Sequence, residues 1–87
     1  MLELNFFSDP AHGWLEVPMS LIDTLGISGK ISAYSYKKGG MAYLEEDCDA
    51  PMFARAAKER GLDYRIWDTY QENTPIRNYS RFTNNLI

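Results

Sequence analysis

Residues 31–45 read Ile31-Ser-Ala-Tyr-Ser-Tyr-Lys-Lys-Gly-Gly-Met-Ala-Tyr-Leu-Glu45, and two features of that stretch decide the fold. Ile31, Ala33 and Ser35 alternate with Ser32, Tyr34 and Tyr36, the period of an extended chain with its tyrosines on one face. Gly39-Gly40 then supplies two residues that accept positive φ without a Cβ clash, and extended chemistry resumes from Met41 to Glu45. The stretch reads as a β-hairpin, and an antiparallel sheet is expected around it.

Upstream, Leu2 to Phe7 reads as a strand that stops at the turn cluster Ser8-Asp9-Pro10. Trp14, Leu15 and Val17 form a second extended run that can pair with the first across Asp9 to Gly13. Pro18 suits a first helical turn, Leu21, Ile22 and Leu25 share one helix face, and Gly26 falls where a left-handed cap would end it. A short helix over about residues 18–25 follows, with Ile27 folded back on its last turn. Downstream, Asp49 before Pro51 resembles a helix start, and Phe53, Ala56 and Ala57 form an apolar stripe ending at Gly61, which predicts a helix over about 50–60. Tyr64, Ile66 and Tyr70 alternate with Arg65, Trp67 and Thr69 as a last strand. The expected class is α+β: an antiparallel sheet of four to five strands with two short helices, in the order ββαββαβ. Residues 71–87 are expected to be an extended C-terminal arm carrying arginines and aromatics.

With 87 residues, 45% of them hydrophobic and 24% charged, the chain suits one globular domain over residues 1–87. The net charge of −3 gives no overall positive field for coating nucleic acid. Residues 1–50 hold eight acids and three lysines, net −5, while residues 51–87 hold four acids and six arginines and lysines, net +2. The two halves can attract each other across one core or offer differently charged faces to partners. Glu3 near the start and the lack of a long apolar run argue against a secretory leader or a bilayer span, so a cytoplasmic protein is expected. Cys48 is the single cysteine, which excludes an internal disulfide and a thiolate zinc cage.

Glu45-Glu46-Asp47-Cys48-Asp49 places four carboxylates in five residues. Such a cluster can cap a helix through Asp47 and Asp49, meet a basic partner, or gather a hard cation. The spacing fits no calcium loop, and a binding patch is the favoured active role. Cys48 beside carboxylates is a poor thiolate, and nothing in the spacing joins it to His12. The phosphate-loop, dinucleotide, nucleophile-elbow and zinc-protease signatures are absent, so no catalytic residue, metal or cofactor is assigned and a non-enzyme is expected. Arg77, Tyr79, Arg81 and Phe82 interleave cations with rings, a pattern that stacks on unpaired bases or anchors a protein interface. Two arginines release few counterions, which favours a protein partner. Tyr34 and Tyr36 are candidate contacts of the same kind, with cross-strand packing as their ordinary role.

His12-Gly-Trp-Leu-Glu-Val-Pro18, Leu25-Gly-Ile27, Ile31-Ser-Ala-Tyr-Ser-Tyr36, Tyr43-Leu-Glu-Glu-Asp-Cys-Asp-Ala50 and Ile76-Arg-Asn-Tyr79 together resemble small proteins encoded by bacteriophages, plasmids and related mobile elements of proteobacteria. That set carries no assigned reaction or catalytic residue. The resemblance implies a setting in which small acidic proteins inhibit host defence, including anti-CRISPR and anti-restriction proteins. The expectation is therefore a non-enzymatic inhibitor of a host defence complex, with Glu45, Glu46, Asp47, Asp49, Tyr34, Tyr36, Arg77, Tyr79, Arg81 and Phe82 as partner-binding residues. A small nucleic-acid-binding accessory protein using the Arg/Tyr arm is the alternative. An open edge strand closed by a homodimer is a further possibility of the fold.

Overall fold

The computed structural model describes residues 1–82. Its first hairpin pairs β1 (Leu2–Ser8) with β2 (Gly13–Pro18), placing Asn5 opposite Glu16 and Phe7 opposite Trp14. The second joins β3 (Tyr36–Lys38) to β4 (Met41–Glu45) through Gly39 and Gly40 at φ +60° and +80°. Two successive positive φ angles give the turn whose twist matches that of paired strands, and the glycine pair so fixes Tyr36 opposite Tyr43. Helix α1 (Met19–Thr24) follows β2, helix α2 (Asp49–Glu59) follows β4, and β5 (Tyr64–Tyr70) follows α2. The last strand, β6, is Ser80–Arg81.

Both helices stop by one mechanism. Leu62 N–H donates to the Ala57 carbonyl (2.9 Å) and Gly61 N–H to that of Lys58 (3.1 Å), with Gly61 at φ +67°. Ile27, Gly26, Ile22 and Asp23 repeat the pattern at the end of α1. In each case a glycine takes the left-handed conformation and the following apolar residue folds back onto the helix.

The strands of the described residues form one six-stranded sheet in the order β5-β1-β2-β4-β3-β6, one strand more than the expected four to five, because β6 follows the expected ββαββαβ order. Its class is α+β, but the sheet is mixed rather than antiparallel, because β5 lies parallel to β1 with Leu4 opposite Ile66. Since β1 and β4 both run opposite to β2, β4 and β5 share a direction. Parallel strands need a long connection, and α2 with its flanking turns supplies it.

Two other expectations are corrected. Ile31 to Ser35 is not strand, and β3 begins only at Tyr36. Local bonds satisfy the backbone groups that a ladder would use: Ser32 N–H donates to the Asp49 carboxylate (3.1 Å) and Tyr34 N–H to Ser32 Oγ (3.1 Å). Tyr34 is left exposed in this loop while Tyr36 is buried. The C-terminal segment is not an extended arm over its described length. Thr74 Oγ1 accepts the Ile76 N–H (3.3 Å), Pro75–Asn78 form a 3₁₀ turn, and β6 then pairs with β3. Residues 83–87 of the expected arm lie outside the described residues.

Alternation along the strands creates two apolar layers. On the helix side, Leu4, Leu15, Val17, Ala42 and Leu44 meet Ile22, Leu25, Phe53 and Ala57. On the back side, Trp14, Tyr36 and Tyr43 pack with Ile76 of the C-terminal segment. Burial on both faces explains why Trp14-Leu-Glu-Val17 reads as a nearly continuous apolar run. Among the described residues, no helix is long and apolar enough to cross a membrane.

Phe53 is fully buried, its ring 5.5 Å from that of Tyr64. Phe53→Ala is expected to cost about 3–5 kcal/mol in urea unfolding. Gly61→Ala, where the added methyl meets nothing within 4 Å, is expected to cost about 1–2 kcal/mol from backbone conformation alone.

Candidate functional site

The site begins with Asp9, where β1 ends. Its Oδ1 accepts the N–H groups of Ala11 (2.9 Å) and His12 (2.8 Å), the local bonding expected of an aspartate before proline. Arg77 closes on the same carboxylate, with Nε 2.9 Å from Oδ2 and Nη2 3.0 Å from Oδ1. The Asp9 side chain is 4% exposed and that of Arg77 44%. Among the described residues this is the one ion pair, and it joins the acidic half of the chain to the basic half. Burial pushes the Asp9 carboxyl up, but the His12 and Ala11 N–H groups and the Arg77 guanidinium outweigh it and hold the group below its ordinary value.

From that clasp the C-terminal segment runs over the back of the sheet. The Arg77 guanidinium lies 5.4 Å from the Trp14 ring centroid, and the Tyr79 ring is 5.1 Å from that of Tyr43. Lys38 stands over Tyr79 at 4.8 Å. Arg81 stacks over Tyr36 at 4.9 Å and donates to the Ala33 carbonyl (2.8 Å), and Phe82 N–H donates to that of Ser35 (2.8 Å). Beneath the segment, Tyr43 OH donates to Glu16 Oε2 (2.8 Å); burial first, then the Glu16 carboxylate, pushes the phenol above its ordinary value.

A cleft of about 530 Å³ lies beside this segment, lined by His12, Trp14, Tyr34, Tyr36, Glu45, Asp47, Cys48, Arg77 and Arg81. One wall is cationic and aromatic, the other carries carboxylates. Among the described residues, no hydrogen-bond partner reaches the buried Trp14 Nε1.

The carboxylates of residues 45–49 diverge. Glu45 Oε1 accepts the N–H groups of Asp47 (3.0 Å) and Cys48 (2.8 Å), while Glu46 and Asp47 are exposed. Asp49 is buried and accepts from Ser32 N–H, from Ser32 Oγ (2.7 Å) and from Ser35 Oγ, and Ser35 Oγ accepts the Glu45 N–H (2.9 Å). The expected capping of α2 by Asp47 and Asp49 is thus corrected. The N-cap position is Cys48 with no side-chain bond, because two serine hydroxyls and a backbone N–H claim Asp49 instead. Among the described residues no three His, Cys, Asp or Glu side chains gather closely enough to hold a metal ion.

Of the residues singled out in the sequence, Tyr34, Glu46, Asp47, Arg77 and Arg81 are exposed, Glu45 and Tyr79 half-buried, and Tyr36, Asp49 and Phe82 buried. His12 and Cys48 line the same cleft, which their spacing did not foretell. Desolvation and the Glu45, Asp49 and Asp47 carboxylates push the Cys48 thiol up, the opposite of what a nucleophile needs. Sequence reasoning missed Asp9, Trp14 and Thr74. Asp9-Pro10 and Thr74-Pro75 were the available signals, each a side-chain acceptor placed before a proline.

Asp9 is held below its ordinary carboxylate value, so its contribution is fully present above that value and is lost as pH falls through the lowered one. Acid titration followed by tryptophan fluorescence in a Trp67→Phe background, which leaves Trp14 as the single tryptophan, and by proteolysis of the C-terminal segment is expected to show release on that limb, and Asp9→Asn to release the segment at neutral pH. Asp49→Ala leaves two serine hydroxyls and a backbone N–H without their acceptor and is expected to cost at least about 1–3 kcal/mol in urea unfolding. Comparison with known protein families, curated proteins and solved structures finds no match to this chain.

Proposed function

We propose that this protein is a non-enzymatic binding protein that inhibits a host defence complex, of the anti-CRISPR or anti-restriction kind, by protein–protein contact in the bacterial cytoplasm. The observation that carries this reading is the back-face cleft, whose arginines are each held on an aromatic ring and by an oxygen acceptor before any partner arrives. Side chains ordered in advance lose little entropy on binding. Glu46 and Asp47 stand exposed beside it, and an acidic shoulder suits complexes that handle nucleic acid through a positively charged channel. In this reading Glu46, Asp47, Tyr34, Arg77 and Arg81 touch the partner. Glu45, Asp49, Tyr36, Tyr79 and Phe82 hold those contacts in place. The raised Cys48 thiol and the divergent carboxylates support binding over catalysis.

The test is phage plating on bacteria that each carry one defence system, with and without this protein, followed by size-exclusion of the protein with the purified complex. The expected result is restored plating against one system and co-elution, both abolished by Glu46→Lys with Asp47→Lys in a variant whose thermal unfolding is unchanged. Full inhibition by that variant overturns the acidic-shoulder contact. Salt-sensitive oligonucleotide binding lost in Arg81→Ala would move the assignment to nucleic acid.

A further inference from the structure

We propose that β5 pairs with the β5 of a second copy of this chain, antiparallel and centred on Trp67, joining two six-stranded sheets into one. The inference is independent of the defence-inhibitor reading.

Among the described residues β5 is the outer strand of the sheet, bonded to β1 on one side only. Gln71 N–H donates to the Ser8 carbonyl (2.8 Å), and backbone groups alternate sides along a strand. Arg65, Trp67 and Thr69 therefore aim their N–H and C=O groups at β1, whereas Tyr64, Ile66, Asp68 and Tyr70 aim theirs at the open edge. The same strand exposes Ile66 (43%), Trp67 (49%) and Tyr70 (63%), three of the five large hydrophobic residues exposed among those described. It has neither the proline nor the lysine with which open edges are usually blunted.

A two-fold pairing of antiparallel edges requires an axis normal to the sheet, which keeps each face on its own side. Each residue must then meet one of its own parity. With the axis at Trp67, Tyr64 meets Tyr70, Ile66 meets Asp68, and every outward N–H and C=O group finds a partner. A shift of the axis by one residue either way leaves one outward residue per strand unpaired. At the axis the two Trp67 side chains form a non-hydrogen-bonded pair, where side chains approach most closely, and Arg65, already 5.3 Å from the ring of its own Trp67, lies diagonally across from the other.

Burial of the exposed parts of Trp67 and Tyr70 together with the backbone ladder gives a small interface, of the kind found in transient rather than obligate association.

Sedimentation velocity over micromolar to near-millimolar chain concentration tests the proposal. The expected result is a reversible monomer–dimer equilibrium that Trp67→Lys abolishes, since it sets two cations face to face. The monomer tolerates that change because Glu3, which accepts from Trp67 Nε1 at 3.2 Å, can pair with the lysine. Asp68→Pro, which removes an outward N–H without touching the β1 ladder, is the second variant, and unchanged far-ultraviolet circular dichroism certifies both. Oxidation of Arg65→Cys with Thr69→Cys in a Cys48→Ser background should give a covalent dimer, because those positions face each other about 4.5 Å apart at Cα. A wild-type chain that stays monomeric throughout, or a dimer that survives both edge variants, overturns the proposal.

Discussion

The buried Asp49 carboxylate is the constraint from which the central architecture follows. It leaves water for an environment in which an unpaired charge is untenable, and Ser32 and Ser35 compensate with two hydroxyls and a backbone N–H. Those bonds take residues 32–35 out of strand geometry and fold them into a loop against the start of α2. β3 is consequently only Tyr36–Lys38, and the Ser35 carbonyl is left to accept the Phe82 N–H. Ser35 Oγ, which also accepts the Glu45 N–H, ties the end of β4 to the same point. One carboxylate thereby positions the loop bearing Tyr34, the first turn of α2 and the path of the C-terminal segment.

The second organising requirement is that the sheet is apolar on both faces. Two short helices cover one. Trp14, Tyr36 and Tyr43 on the other need a cover, and the chain supplies Ile76 and Tyr79 from its C-terminal segment. A segment this short has little apolar area, so its docking depends on specific contacts: the Asp9–Arg77 fork at one end, Arg81 on Tyr36 and Phe82 on Ser35 at the other. The charge asymmetry of the sequence has a structural meaning here, because the ion pair between the halves is the contact that closes the back face. The arginines of the segment are held by their own protein, and their guanidinium faces are offered to the cleft in fixed positions.

What the sequence revealed was local. Gly39-Gly40, Gly26 and Gly61 each mark a backbone conformation that other residues rarely adopt, so the β3–β4 turn and both helix ends were readable, while the β1–β2 turn was readable from Ser8-Asp9-Pro10. β5 was readable from its alternation. Its parallel neighbour was not, because alternation reports which residues share a face and says nothing of strand direction. Ile31 to Tyr36 carried a genuine strand pattern and was overridden by a carboxylate seventeen or fewer residues downstream in the chain, a contact without periodicity. The cleft escaped for the same reason. Its walls come from β2, the loop before β3, the turn after β4 and the C-terminal segment, which only the completed sheet brings together. The acidic run dispersed because neighbouring residues in a turn face different partners, so a cluster in sequence became a shoulder, a turn brace and a buried anchor in space.

The two edges of the sheet are unlike. Among the described residues β6 is two residues long and follows a segment held down by side-chain contacts. β5 presents seven residues, three of them large and apolar. The cleft belongs to the β2-β4-β3-β6 side, and β1 separates β5 from it. An occupant of the β5 edge therefore does not obstruct the cleft. An axis normal to the sheet also preserves faces, so two copies joined through β5 would turn both clefts toward the same side. A target with repeated or symmetric subunits could then be engaged at two points, the second contact being intramolecular once the first is made. The open edge would in that case strengthen binding at the cleft without contributing a single contact to it.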